Sequence, residues 1–185
     1  AIKRASNRLS HLIENYIAFG QVQLISRDQE MIEKIQSFST LKDFDALLFQ
    51  SAEKIAYDFG RMDDLNLDLQ PADVHLFFDH AQKLITEVFN NAFKFSKKGS
   101  PVTIGGKIDD SCYIVSVMDN GRGMTQEQIH QIGANNQFER ERYEQQGAGL
   151  GLAIAQKILE IYDGELIIES ESGVATTVHI IIQLA

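Results

Sequence analysis

The chain has 185 residues, 44% of them hydrophobic, and a formal net charge of −9 at pH 7. A chain of this size and composition can bury a hydrophobic core of its own. A protein that binds nucleic acid usually presents a basic surface to the phosphate backbone, and the negative net charge argues against such a surface. We therefore predict no nucleic-acid partner. The single cysteine, Cys112, excludes an internal disulfide and a multi-cysteine metal site. This cysteine usage favours a reducing compartment and hence a cytoplasmic location.

No segment has the hydrophobic length of a membrane span, which is roughly 18 consecutive apolar residues. The N-terminus also lacks the basic, apolar and small-residue regions of a signal peptide. The chain begins at Ala1 and leads directly into a helical pattern. We therefore expect a fragment, the cytoplasmic part of a longer protein, with no membrane segment in this chain.

Two amphipathic patterns open the chain. Residues 6–25 place Leu9, Ile13 and Ile17 on one apolar stripe, and a second helical pattern runs through residues 31–38. Neither pattern carries motif chemistry. We therefore predict that residues 1–39 form a helical segment that serves for packing or dimerisation.

Residues 40–185 show the alternating helix and strand patterns of a compact α/β domain. Helices are predicted around residues 47–56, from 74 to 95, around 126–132, and from the glycine run 147–151 to 161. Strands are predicted at residues 65–69, 102–108, 113–118, 165–169 and 176–184. The polar stretch 133–146 predicts a mobile lid. These elements predict a two-layer α/β sandwich, in which helices cover one face of a mixed, mostly antiparallel sheet.

The first chemical motif lies in the long helix. The sequence LITEVFNNAFKFS places Glu87, Asn91 and Lys94 at spacings of four and three residues, and hence on one helix face. An amide oxygen can coordinate Mg²⁺, a lysine can contact phosphate, and a carboxylate can activate a hydroxyl or a water molecule. A solvent-facing polar stripe has the same spacing, so this motif alone leaves both interpretations open.

The second motif, VMDNGRGM, sets Asp119 at the end of a strand, before Gly121 and Gly123. An aspartate at a strand end can accept a hydrogen bond from an exocyclic amine, and glycines allow a flat base to approach the backbone closely. An ordinary Asn-Gly turn explains the same residues equally well when this motif is considered alone.

The third motif, QGAGLGLAIA, places Gly147, Gly149 and Gly151 immediately before a helix. Backbone amides at the start of a helix can bind phosphate. The motif follows a polar stretch rather than a strand, which argues against a dinucleotide fingerprint, and it lacks the Gly-Lys-Ser/Thr ending of a Walker loop.

The three motifs occur in order, and together they resemble the histidine kinase family. That family lies within a wider group of ATPases and kinases that includes type II topoisomerases, a heat-shock chaperone and mismatch-repair ATPases. Asn91–Ser96 resembles the N box of the family, Asp119–Gly123 its G1 box, and Gly147–Leu152 its G2 box. The resemblance implies the Bergerat fold over about residues 44–185. Residues 8–19 are similar to the second helix of the kinase dimerisation hairpin, which implies a homodimer of the full-length protein.

The resemblance also implies a site for ATP and Mg²⁺. Asn91 would bind Mg²⁺, Lys94 would act on the phosphates, and Asp119 would accept a hydrogen bond from the adenine amine. The remaining pocket and lid positions would be Gly121, Gly123, Phe138, Gly147, Gly149, Leu150 and Gly151. Glu87 stands where many histidine kinases have asparagine and where the hydrolysing relatives have a general base, so phosphate transfer and hydrolysis both stay open.

The partners implied by the resemblance are a phosphoacceptor histidine domain and a response regulator. A family acceptor histidine is followed at once by an acidic residue and five positions later by a proline, and none of the five histidines of this chain fits. We therefore expect the acceptor outside this chain. Two alternatives stay open: an ATPase or serine kinase of the same superfamily that uses Glu87, and a non-catalytic ATP-sensing or docking module. The second gains support from Glu141, which replaces an expected phenylalanine of the family's F box.

Overall fold

Helices and short strands alternate along the chain in the computed structural model, which describes residues 2–133 and 149–185. The helices are α1 Ile2–Ile25, α2 Gln29–Ser37, α3 Phe44–Asp58, α4 Phe78–Phe95, α5 Gln126–Gly133 and α6 Gly149–Ile161. The strands are β1 Thr40–Leu41, β2 Leu65–Leu69, β3 Val74–His75, β4 Val102–Asp109, β5 Cys112–Asp119, β6 Glu165–Glu171 and β7 Ala175–Gln183. Residues 134–146 of the predicted lid lie outside the described residues.

The main sheet has the strand order β2-β4-β5-β7-β6. Strand β2 pairs with β4 in parallel, whereas β4 with β5, β5 with β7, and β6 with β7 pair antiparallel. The β4–β5 hairpin turns through Asp110, whose φ of 51° lies in the left-handed region that aspartate tolerates better than most residues. The sheet is therefore mixed and mostly antiparallel, as the sequence predicts.

One face of this sheet forms the hydrophobic core. Along β5, Tyr113, Val115 and Val117 are buried, and the residues between them are only half-buried. Since successive side chains of a strand point to opposite faces, these three residues share the core side. Helices α3, α4 and α6 contact the sheet and contribute the remaining buried residues. The prediction of helices on one face of the sheet is therefore confirmed.

The long helix α4 is shorter than the sequence predicts. The sequence pattern places its start at Val74, but it begins at Phe78 because Val74 and His75 pair with Leu41 and Thr40 in a separate two-stranded sheet. The local pattern of apolar residues is compatible with either structure. The long-range pairing with β1 decides the outcome.

The N-terminal helices pack onto the same core. Val22 of α1 is buried within it, and Ile32 and Ile35 of α2 pack against it. Helix α1 also contacts α6. The division into segments 1–39 and 40–185 stays a prediction. Among the described residues, no helix combines the length and hydrophobicity needed to span a bilayer.

Candidate active site

Helix α4 carries the three polar residues of the first motif, and their environments differ. Its apolar residues face the core, and Glu87 lies among them with an exposed fraction of only 4%. Asn91 is half-buried, and its Nδ2 atom has no hydrogen-bond partner among the described residues. Lys94 is exposed near the end of the helix, where its Nζ atom lies 4.9 Å from the centre of the Phe95 ring. The motif is therefore not a uniformly solvent-facing stripe.

The Glu87 carboxylate is held by two neighbouring elements. Lys83, one turn earlier in α4, donates a hydrogen bond from Nζ to Glu87 Oε1 at 2.6 Å. On the other side, a Cβ atom placed on Gly151 would overlap Glu87 Oε2. The first turn of α6 thus approaches the first motif closely at Gly151, where a larger residue would require the Glu87 carboxylate to shift. Lys83 is absent from the site residues predicted from sequence, although its i,i+4 spacing from Glu87 is a recognisable signal for an ion pair.

Asp119 is the last residue of β5 and lies on the core side of the strand. Its side chain is 6% exposed, and its Oδ1 atom has no hydrogen-bond partner among the described residues. Burial raises the pKa of this carboxyl to about 6, although a hydrogen bond from the Gly121 backbone and the charge of Arg61 both lower it. A buried carboxyl oxygen without a partner is costly in a folded protein, and a ligand with a suitable donor would relieve that cost.

A second polar residue that the sequence did not reveal lies beside Asp119. Thr176 of β7 is the cross-strand partner of Asp119 and is also buried. Residues directly opposite each other in an antiparallel pair share one face of the sheet, so both side chains lie on the core side. The Oγ atoms of Thr176 and Ser170 are 2.9 Å apart, and Ser170 Oγ also accepts a hydrogen bond from the Met124 backbone. The threonine has no local sequence signal, because its position depends on the register of two distant strands.

The glycines of the second motif bring three backbone segments close together. A Cβ atom on Gly121 would overlap the Phe95 carbonyl, and one on Gly123 would overlap the Glu171 carbonyl. Gly123 also has a φ of 61°, which disfavours other residues. The Arg122 amide donates to the Phe95 carbonyl, joining the end of α4 to the loop after Asp119. These glycines allow close backbone packing, and their contact with a base stays a prediction.

The end of α4 is fixed by a buried arginine that no sequence motif marks. Arg61 is 5% exposed, and it donates hydrogen bonds to the carbonyls of Phe93, Ser96 and Ser100 at 2.8, 3.2 and 2.8 Å. It also donates to Ser96 Oγ and to Asp64 Oδ2. The guanidinium thus satisfies carbonyls that a helix end leaves without partners.

The third motif is described only in part. Gly149, Leu150 and Gly151 form the first turn of α6, and Leu150 packs against the core. Gly147, Phe138 and Glu141 lie outside the described residues. Helix α4 contacts the start of α6 through Glu87 and Gly151, and it contacts the loop after β5 through Phe95 and Gly121. Within residues 2–133 and 149–185, no group of three or more His, Cys, Asp or Glu side chains forms a metal cluster.

Comparison with known proteins finds a family match over the second half of the chain. The model of the family described as histidine kinase-, DNA gyrase B-, and HSP90-like ATPase matches residues 78–185. Sporulation kinase C of Bacillus subtilis is 28% identical over 178 residues, which cover 96% of this chain and 39% of the relative. Sporulation kinase D of the same organism is 31% identical over 131 residues, which cover 68% of this chain and 25% of the relative. The chain therefore spans less than half the length of these relatives.

Solved structures show the same fold. The Acinetobacter baumannii histidine kinase AdeS is 19% identical with a TM-score of 0.67, and the match covers 95% of this chain and 78% of that one. Full-length ShkA, determined in complex with AMPPNP, is 19% identical with a TM-score of 0.71. That match covers 100% of this chain and 38% of ShkA.

Proposed function

Because the chain belongs to the histidine kinase-, DNA gyrase B- and HSP90-like ATPase family, we propose that it binds Mg·ATP and donates the γ-phosphate to a histidine outside this chain. In this proposal it is the catalytic domain of a two-component kinase, and it acts with a phosphoacceptor domain and a response regulator. The relatives named above as kinases support that assignment.

The observation that carries the proposal is the buried Asp119 carboxyl. Its Oδ1 atom lacks a hydrogen-bond partner among the described residues, and Thr176 places a hydroxyl on the same face. The exocyclic amine of adenine is a donor of the kind that this acceptor would bind. The raised pKa of Asp119, about 6, leaves the carboxylate ionised at pH 7 and able to accept that hydrogen bond.

The phosphate end of the nucleotide would lie towards α4 and the start of α6. The Nδ2 atom of the Asn91 amide is buried and has no partner among the described residues. Rotation of this amide by half a turn exchanges its nitrogen and oxygen atoms. The position can therefore offer an oxygen ligand to Mg²⁺. Bound Mg²⁺ would neutralise phosphate charge during transfer. Lys94 would add a positive charge, and the backbone amides at the start of α6 would bind phosphate oxygens.

The transfer step breaks the bond between the γ-phosphorus and the bridging oxygen and forms a bond to an imidazole nitrogen, and ADP leaves. The incoming imidazole must lose its proton, and a carboxylate is a suitable acceptor. We assign that role to Glu87, which lies one helical turn before Asn91 on α4. The roles of Glu87, Asn91 and Lys94 stay predictions until they are tested.

Hydrolysis is the second candidate reaction, and the position of Glu87 favours it. Its carboxylate is buried and oriented by Lys83, as a general base for an attacking water molecule would need to be. Phosphate release by this chain that is abolished in Glu87→Gln would identify it as an ATPase. Transfer to a serine instead would identify the serine kinase of the same superfamily.

Nucleotide binding is tested by calorimetric titration with a non-hydrolysable ATP analogue, with and without Mg²⁺. We expect Mg²⁺-dependent binding that falls at least about tenfold in Asp119→Asn, because the carboxylate acceptor is lost. Asp109→Asn, an exposed aspartate at the end of β4, is the matched control and should bind as the wild type does. Absence of binding by the wild type would contradict the proposed site.

Phosphate transfer is tested with a phosphoacceptor histidine domain supplied as a separate protein. The expected product is acid-labile phosphohistidine that is absent with Asp119→Asn. Intact nucleotide binding without any transfer or hydrolysis would instead support the ATP-sensing or docking module.

A further inference from the structure

Two hydrogen bonds through Lys83 connect the N-terminal helix α1 to Glu87. Lys83 Nζ donates hydrogen bonds to Asn15 Oδ1 at 2.7 Å and to Glu87 Oε1 at 2.6 Å. Asn15 belongs to α1, whereas Lys83 and Glu87 are one turn apart on α4. A single ammonium group therefore links a helix outside the family match to a residue that the proposed reaction uses.

Burial makes this link more than a surface contact. Asn15 and Glu87 are 6% and 4% exposed, and the Lys83 side chain between them is 26% exposed. A buried amide and a buried carboxylate are both costly unless they are hydrogen-bonded, so Lys83 satisfies two groups at once. An ion pair in which the carboxylate is buried contributes little more to stability than well-packed apolar residues would, which points to a role in orientation.

Helix α1 constrains Glu87 from a second direction. It packs against α6, and the first turn of α6 places Gly151 against Glu87 Oε2. Glu87 Oε1 therefore contacts Lys83, which is hydrogen-bonded to Asn15 of α1. Glu87 Oε2 lies against Gly151 of α6, the helix against which α1 packs. Movement of α1 away from the core would remove the hydrogen bond from Lys83 to Asn15 and the packing of α1 against α6.

We propose that Asn15 and Lys83 are positioning residues through which the docked α1 helix completes the active site by holding Glu87 in place. This inference rests on the proposed function, because it assumes that Glu87 acts in the reaction. Displacement of α1 would then lower turnover without abolishing nucleotide binding.

The kinetic test measures ADP formation from ATP by the chain in the presence of a separate phosphoacceptor histidine domain. We expect Asn15→Leu and Lys83→Met to lower kcat about tenfold with little change in KM, because supporting residues of a site commonly have effects of this size. Lys83→Arg should keep most of the activity, since a guanidinium can still donate to both partners. Gln21→Leu, which replaces an exposed amide on the same helix, is the matched control and should resemble the wild type.

A Glu87→Asp background, in which the shortened carboxylate loses its contact with Lys83 but can still accept a proton, separates positioning from a general structural role. If Asn15 acts through Glu87, Asn15→Leu should have no further effect on kcat in that background. An unchanged kcat in Asn15→Leu alone, or an equal fall in both backgrounds, would overturn the inference.

A measurement that does not need turnover is the NMR signal of the Lys83 ammonium group. Hydrogen bonds to Asn15 and Glu87 should slow its proton exchange, so we expect the signal in the wild type and in Gln21→Leu and its loss in Asn15→Leu. A signal that persists in Asn15→Leu would overturn the link between α1 and Glu87. Failure of the wild type to bind the ATP analogue would instead count against the proposed function, so the two failures are distinguishable.

Discussion

The Asp119 carboxyl lies at the core side of β5, and its burial raises its pKa to about 6. A carboxyl that binds its proton more tightly in the folded chain than in the unfolded chain favours folding only while it is protonated. The free energy of unfolding should therefore fall as the pH rises from 3.8 to about 6. An unpartnered acceptor that suits a ligand amine thus destabilises the unliganded protein.

Replacing this carboxyl should stabilise the protein while it weakens nucleotide binding. In Asp119→Asn we expect the free energy of unfolding at pH 7 to rise by up to about 3 kcal/mol, the equivalent of the raised pKa. Its dependence on pH between 4 and 6 should also become flatter, since the group that titrates there is removed. Urea denaturation across this pH range measures both effects, with Asp109→Asn as the control. A variant less stable than the wild type at pH 7 would contradict this account.

At the scale of elements, the end of α4 and the loop after β5 behave as one unit. Arg61 donates to the carbonyls of Phe93 and Ser96 on one side and Ser100 on the other. Ser100 Oγ then donates to the Asn120 carbonyl, next to Asp119. The Arg122 guanidinium lies 4.2 Å from the centre of the Phe95 ring, which adds a cation–π contact between the same segments. The relative position of the first and second motifs therefore depends on Arg61 and Ser100, which lie outside both, as well as on the contact between Arg122 and Phe95.

Arg61 should be one of the most sensitive positions for stability. We expect Arg61→Met to lower the free energy of unfolding by about 3 kcal/mol or more, because several buried carbonyls lose their donor. Arg61→Lys should recover only part of the loss, since an ammonium cannot reach the same set of acceptors. Urea denaturation is the measurement, and Arg27→Met, at an exposed arginine, is the control. A loss similar to that of the control would show that the network is dispensable.

At the scale of the whole molecule, α1 has two different apolar surfaces. Val22 and the residues near it pack against the core, whereas Leu9, Ile13 and Ile17 are 59, 51 and 56% exposed. Apolar residues that recur along an exposed helix are typical of a surface that associates with another helix. A second copy of the chain is the partner that the predicted dimerisation hairpin implies.

The exposed stripe predicts association that depends on protein concentration. We expect sedimentation velocity to show dimers at high concentration, and the double substitution Ile13→Glu, Ile17→Glu to give monomers, because it places charges in an apolar contact. Lys107→Glu changes the charge at an exposed position on β4, outside α1, and should leave the dimer intact. A wild-type chain that stays monomeric at every concentration would contradict this prediction.

The sequence by itself was sufficient for features that depend on neighbours along the chain. Helical spacing placed Glu87, Asn91 and Lys94 on α4, and the alternation before Asp119 placed it at a strand end. These features follow from periodicities of 3.6 and 2.0 residues, which local sequence records directly. The mixed, mostly antiparallel sheet and its one-sided core also agree with the predicted fold class.

Only the tertiary structure decided the contacts between residues far apart in the sequence. Lys83 meets Asn15 across 68 positions, and Arg61 meets Ser100 across 39. The pairing of β3 with β1 likewise shortens α4 to begin at Phe78. Such contacts leave no periodic signal, because either partner alone looks like an ordinary polar or apolar residue. They form only when packing brings distant elements together. For that reason the residues that hold the motif side chains in place could be identified only from the tertiary structure.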